Sequence, residues 1–171
     1  MFLGHIPAGY LVSYSIIQLR KDPNLSAHNT NKLLFIGLIA AVFPDIDLFY
    51  FYFIDNRQHL HHSYWTHIPF YWVIMGSLLL SIEYWLKNKK MIVVNYLISI
   101  NLLVHFFLDT IVGKIKWLYP FSNEDIVCFH VPANYGWWVL NFVLHWTFLF
   151  ELILLFLAIF IILKNRRGKS I

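Results

Sequence analysis

The amino-acid sequence predicts an all-α protein, a polytopic helical bundle that crosses a membrane with about five segments and forms a single transmembrane domain over residues 1–171. Hydrophobic residues make up 59% of the chain and charged residues only 13%, which is typical of a membrane protein. The net charge of +4 comes from short basic clusters beside apolar runs, so it indicates membrane topology rather than nucleic-acid binding. Nothing in the sequence points to a protein partner.

Five apolar runs approach the roughly 20 residues that a helix needs to cross a bilayer. The first lacks the basic region and cleavage site of a signal peptide, so we expect it to stay in the protein. Pro44 interrupts the second run and predicts a kink there. Thr66 and Pro69 suit the N-cap and first turn of the third. The runs extend over Phe2–Leu19, Leu33–Ile54, Ile68–Leu86, Met91–Val112 and Trp137–Leu163.

Basic residues orient these five segments, because short loops rich in lysine and arginine stay in the cytoplasm. Every second break is basic, which predicts an outward N-terminus, an inward C-terminus and a long outer loop over residues 113–136. Lys114, Lys116 and Arg57 are exceptions on the outer side. The three inner clusters contain Arg20, Lys21 and Lys32; Lys87, Lys89 and Lys90; and Lys164, Arg166, Arg167 and Lys169.

Histidines and aspartates occur near the outer ends of the predicted spans, where an ionisable side chain is costly unless it is paired. Both residue types bind divalent metals, and one cysteine, Cys128, offers no thiolate cluster. The predicted depths bring the candidates to one membrane face, which favours a single metal site. The candidate ligands are His5, Asp45, Asp47, His62, His67, His105 and Asp109.

The spacing of these residues is informative to different degrees. His105 and Asp109 are four apart, so they share a helix face, either as two metal ligands or as a structural hydrogen-bonded pair. His62 and His67 are five apart and can meet only if the chain bends between them. For His59 and His61, a solvated loop is the expected environment. Glu151, in the middle of the fifth run, predicts a hydrogen bond to a neighbouring helix.

Short motifs in residues 4–121 resemble those of the YdjM-like family of membrane-bound, metal-dependent hydrolases, which some bacteria place under LexA regulation. They are a Gly-His, a Pro-Asp-x-Asp, a His-x-x-x-Thr-His and a His-x-x-x-Asp, followed by a Trp-Pro-Phe-like segment. The sequence departs from the family at Ser63 and Tyr64, which replace an Arg-Gly, and at Lys114–Lys116, where the family usually has glycine and proline. The motifs begin at Gly4, Pro44, His62, His105 and Trp117.

The resemblance implies a multi-pass protein of the bacterial inner membrane whose motif residues hold one or two divalent ions, zinc or manganese. His62, His67, His105 and Asp109 would be ligands, Asp45 and Asp47 would be a ligand and a bridging ligand or general base, and His5 a further ligand or an orienting group. Such a site can hydrolyse a phosphoester or related bond. Its depth favours membrane lipids or a lipid-linked substrate.

Two other functions remain open on the sequence. A metal-ion transporter also needs intramembrane histidine and aspartate, but it should carry polar residues through the whole depth of the bundle. A non-catalytic structural or regulatory membrane protein could use a metal only to tie its helices together. That function predicts a closed ligand set with no open position for water.

Overall fold

The computed structural model describes residues 3–20 and 27–167 of the chain, and this part is helical, with one isolated antiparallel bridge between Ile115 and Ile126. The all-α prediction is therefore confirmed. The helices are α1 (His5–Arg20), α2 (Ala27–Val42), α3 (Asp47–Phe53), α4 (Pro69–Trp85), α5 (Lys89–Thr110), α6 (Trp138–Val143) and α7 (Thr147–Arg167). Short 3-10 turns cover Phe43–Ile46, His61–Ser63 and Trp65–His67.

Helices α1, α2 and α5 pack against one another and form the core of the bundle. Gly37 of α2 makes their close approach possible, because a Cβ atom built there would lie 1.9 Å from Ser13 Oγ of α1. At the same level, Asn101 Nδ2 of α5 donates to Ser13 Oγ at 3.0 Å. Small residues and an interhelical amide are the usual means of helix packing where lipid, not water, surrounds the protein.

Contacts between the helices fix their directions. Gly37 lies beside Asn101, and the Ala41 carbonyl accepts from His105, so α2 runs parallel to α5. Asn101 bonds to Ser13 and Asp109 to His5, so α1 runs antiparallel to α5. Asn95 bonds to Glu83 and Ser99 lies beside Gly76, so α4 is also antiparallel to α5.

Helix α7 docks on α1 through a buried carboxylate. Glu151 accepts hydrogen bonds from the backbone N–H groups of Leu3 and Gly4, the latter at 3.0 Å, and Asn165 accepts from the Tyr14 hydroxyl. The predicted bond of Glu151 to a neighbouring helix is thus confirmed. We call the end of the bundle that carries Gly4 the histidine end, and the end that carries Arg20, Lys89 and Lys164 the lysine end.

Among the described residues, three helices are long and apolar enough to span a membrane: Asn29–Phe53, Lys89–Thr110 and Thr147–Arg166. Helices α1 and α4, with 16 and 17 residues, are shorter than these. The integral membrane character is supported, but the predicted count of about five spans is not confirmed. Of the predicted elements, Phe2, Lys21 and Lys169 lie outside the described residues, as does the side chain of Arg167.

Two boundaries differ from the sequence prediction. The fifth run is not one helix, because α6 ends at Val143 and α7 begins at Thr147, with His145 Nδ1 bonded to Thr147 Oγ1 at 2.8 Å in the break. Thr66 does not cap α4, whose N-cap is Ile68 without a side-chain bond, although Pro69 does lie in the first turn. The Thr66 hydroxyl donates to Asp47 instead.

Candidate metal centre

Three chain segments meet at the histidine end and bring four candidate ligands together. Helix α5 presents His105 and Asp109 on one face, as their spacing predicts. Asp45 lies in the 3-10 turn that Pro44 introduces after α2, and His67 ends the 3-10 turn before α4. The kink at Pro44 and the bend before Pro69 are thus the local features that turn both side chains toward α5.

The four ligand atoms have the spacing of a tetrahedral metal site. His67 Nε2 lies 3.4 Å from His105 Nε2, 3.5 Å from Asp45 Oδ1 and 3.6 Å from Asp109 Oδ2. His105 Nε2 is 2.9 Å from the same Asp109 oxygen and 3.9 Å from Asp45 Oδ1. Metal–ligand bonds of 2.0–2.2 Å in tetrahedral geometry imply ligand separations of about 3.3 Å, which these distances bracket.

The second ring nitrogen of each histidine is held by an acceptor. His105 Nδ1 donates to the Ala41 carbonyl at 2.8 Å, and His67 Nδ1 lies 2.6 Å from Asp47 Oδ2. A proton on each Nδ1 leaves the Nε2 lone pair directed at the centre. Such outer hydrogen bonds fix the tautomer and orientation of histidines that bind metals, so this arrangement favours a metal over a mere hydrogen-bonded pair.

Asp47 lies outside the set of four ligand atoms, on the far side of the His67 ring. Its Oδ2 contacts His67 and accepts from Thr66, while its Oδ1 lies 3.0 Å from His61 Nδ1. This buried carboxylate therefore orients two histidines. These contacts fit a supporting position, whereas the resemblance implied a ligand, bridging ligand or general base.

His5 approaches the centre from α1 through Asp109. Its Nε2 lies 3.0 Å from Asp109 Oδ1, the oxygen that points away from the other ligands, and its ring stacks on His105 with 4.0 Å between centroids. Of the two roles that the resemblance implied, the contacts fit an orienting group. The bond between Glu151 and Gly4 holds the start of α1, and thereby His5, against α7.

His61 and His62 form the partly open side of the centre. His62 Nε2 lies 3.6 Å from Asp109 Oδ2, outside the set of four, and the side chains of His61 and His62 are 22% and 19% exposed. The sequence placed His61 in a solvated loop together with His59. That environment fits His59, which is exposed and bonded to Asp55, but not His61. Its adjacency to His62 was the signal that could have revealed it.

The electrostatics of this region favour a positive charge at His67. Burial alone would lower the pKa of His67, but Asp109, Asp45 and Asp47 raise it to about 10. For His62 the opposite holds, because burial lowers its pKa to about 3, with His61 and His67 adding to the effect against the charge of Asp109. Three carboxylates around one imidazole thus create a field that a divalent cation would satisfy.

The types of ligand atom in the centre also suit a divalent cation. Two imidazole nitrogens and two carboxylate oxygens suit zinc, and manganese also accepts oxygen-rich sites. Asp45 alone among these four ligands has an appreciably exposed side chain, at 26%, while His67, His105 and Asp109 are fully buried. The residues therefore fit a divalent ion that water or substrate can approach from the side of Asp45.

Fold and centre together define a class: a helical integral membrane protein with a buried histidine–aspartate cluster that could hold a metal ion. The chain belongs to the YdjM inner membrane protein family, whose family model matches residues 1–169. This match confirms the resemblance seen in the motifs and indicates an inner membrane protein. The family description names a location and no reaction. No curated protein and no solved structure matches the chain.

Proposed function

We propose that this protein is a membrane-bound, metal-dependent hydrolase that cleaves a phosphoester or related bond of a lipid or lipid-linked substrate. The observation that carries the proposal is the convergence of two Nε2 atoms and two carboxylate oxygens on one point, with both Nδ1 atoms held by acceptors. A divalent metal held there would supply activation of water and stabilisation of negative charge on a phosphoryl oxygen.

The residues of the centre take distinct roles in this proposal. His67, His105 and Asp109 would hold the ion from the buried side of the site. Asp45 completes the ligand set, and its partly exposed carboxylate can accept the proton of an attacking water. Asp47 orients His67, and through it sets the direction of the Nε2 lone pair. The oxygen of the attacking water forms a bond to phosphorus as the bond to the leaving alcohol breaks, and the proton taken up by Asp45 passes to the alcohol oxygen.

The proposed topology places the centre near the non-cytoplasmic face. Arg20, Lys89 and Lys164 belong to helix ends opposite the histidine end, and the positive-inside rule assigns them to the cytoplasm. Helices α2 and α5 run in the same direction, so α4 must return through the bundle between them, and its 17 residues extend about 26 Å. This return, together with the antiparallel α1, supports five crossings. A site at the outer end faces lipid head groups.

A non-catalytic metal site is the second candidate, and one observation favours it. Four protein ligands would fill a tetrahedral shell, as in structural zinc sites, whereas catalytic sites keep a position for water. The exposed edge of Asp45 favours catalysis. Transport has less support, because buried polar residues elsewhere in the bundle form two separate hydrogen-bonded pairs. Glu83 and Asn95 join α4 to α5, whereas Ser13 and Asn101 join α1 to α5.

The test is hydrolysis by the full chain, purified in detergent and loaded with zinc or manganese. Phospholipids and lipid-linked phosphates would be screened for released phosphate or head group. We expect turnover that a chelator abolishes, that Asp45→Asn removes and that Asp55→Asn leaves unchanged, because Asp55 bonds to the exposed His59 and contributes no atom to the ligand set. A protein that holds its metal but hydrolyses none of these substrates would favour the non-catalytic candidate.

A further inference from the structure

We propose that His61 and His62 form a second divalent-cation subsite at the open side of the centre, so that the protein holds two adjacent ions. This inference rests on the proposed function and adds a two-metal clamp to it. The three residues His61, His62 and His67 offer ligand atoms that all lie within 4.8 Å of one another. His67 Nε2 belongs to the buried set, so the second ion would depend on the other two histidines.

His61 is prepared for metal binding in the same way as His67. Asp47 contacts both rings at Nδ1, at 3.0 Å for His61 and 2.6 Å for His67. A proton on Nδ1 of His61 leaves its Nε2 as the atom with an available lone pair. One carboxylate that orients two neighbouring histidines in this manner is expected where both rings bind metal.

Asp109 connects the two groups of ligands. Its Oδ2 belongs to the buried set and also lies 3.6 Å from His62 Nε2, the same distance that separates it from His67 Nε2. A carboxylate oxygen shared in this way can lie between two ions. Two-metal hydrolytic centres hold their ions roughly 3.5–4 Å apart and clamp the attacking and leaving oxygens of a phosphoryl group.

Gly113 provides the space for His62. A Cβ atom at residue 113 would lie 2.3 Å from His62 Cε1 and 2.6 Å from His62 Nδ1, closer than any real contact. The φ angle of Gly113 is not positive, so this position needs the absence of a side chain rather than an unusual backbone. The glycine thus allows the His62 ring to lie against the end of α5 with Nε2 facing Asp109.

The second subsite differs from the buried centre in its ligands and exposure. Two histidines and a shared carboxylate oxygen leave positions that water or a phosphoryl oxygen can fill. Both histidines are partly exposed, whereas His67 and His105 are not. We therefore expect the second ion to bind more weakly and to exchange faster than the first.

The experiment counts manganese ions on the metal-stripped full chain in detergent. Mn²⁺ would be titrated into wild type, Gly113→Ala and Gly136→Ala, with bound metal measured by elemental analysis and ion coupling by electron paramagnetic resonance. Gly136 is the matched control, because nothing lies within 4 Å of a Cβ atom there. We expect two coupled ions in wild type and Gly136→Ala, and a single uncoupled ion in Gly113→Ala.

A second variant, His62→Ala, tests the second subsite if Gly113→Ala does not fold or loses both ions. We expect His62→Ala to retain one ion. A single ion in wild type would overturn the second subsite and leave the proposed hydrolase centre standing. Two ions retained in folded His62→Ala would also overturn it. No bound ion in wild type would overturn the proposed function together with this inference.

Discussion

Replacing Asp47 by asparagine tests whether this carboxylate orients His67 without binding the metal itself. The carboxylate accepts from His67, His61 and Thr66, and asparagine keeps one acceptor oxygen but no charge. A hydrogen bond to a charged group contributes about 1.5–3 kcal/mol and a neutral one about 0.5–1.5. The difference, roughly 1–1.5 kcal/mol, corresponds to about a tenfold loss of metal affinity.

The assay is competition for zinc between the metal-stripped protein and a chelator of known affinity. Asp47→Ala removes the acceptor altogether and should weaken binding by up to about 100-fold, the upper range for partners of metal ligands. Asp55→Asn is the matched control, since Asp55 makes the same kind of bond to His59 away from the centre. Unchanged affinity in folded Asp47→Ala would refute the orienting role. A loss far beyond 100-fold would return Asp47 to the ligand set.

Three further predictions concern stability. Glu151→Ala should destabilise the protein by about 1–3 kcal/mol, because backbone N–H groups at the start of α1 lose a buried acceptor, and Glu151→Gln should lose less in thermal unfolding. Gly37→Ala should destabilise by about 1–3 kcal/mol, since its Cβ atom would overlap Ser13 Oγ, whereas the unfolding midpoint of Gly136→Ala should match wild type. Chelation should lower the melting temperature, and zinc at 100 times its dissociation constant should restore about 2.7 kcal/mol. A melting temperature indifferent to chelator and metal would contradict a folded-state metal site.

Hydropathy predicts the helices well because burial in lipid requires long apolar runs. It could not predict the break between α6 and α7, since the apolar composition continues through Leu144 and Trp146 and only the His145–Thr147 contact marks the interruption. Pro44 carried a local signal through its missing N–H, and the kink there was predictable. A local pattern also suggested Thr66 as a cap, but the tertiary bond to Asp47 took precedence.

The members of the centre were predictable from residue type, because histidine and aspartate are costly near a bilayer without a partner. Their division into ligands and supporting groups was not, since it depends on which atom faces which. Asp45 and Asp47 are two residues apart in one motif, yet only Asp45 contributes an atom to the ligand set. His61 was assigned to solvent because its bond to Asp47 is tertiary, and its adjacency to His62 was a weak local signal.

Metal content in three matched proteins shows whether the histidine end holds a metal ion. Wild type, His105→Ala and His59→Ala would be purified in detergent as the same gel-filtration species, and zinc and manganese would be measured per chain by elemental analysis. His105 contributes Nε2 to the buried centre, while His59 is exposed in the neighbouring loop. We expect at least one ion per chain in wild type and His59→Ala, and its loss in His105→Ala. Equal metal in all three proteins, or none in wild type, would contradict this expectation.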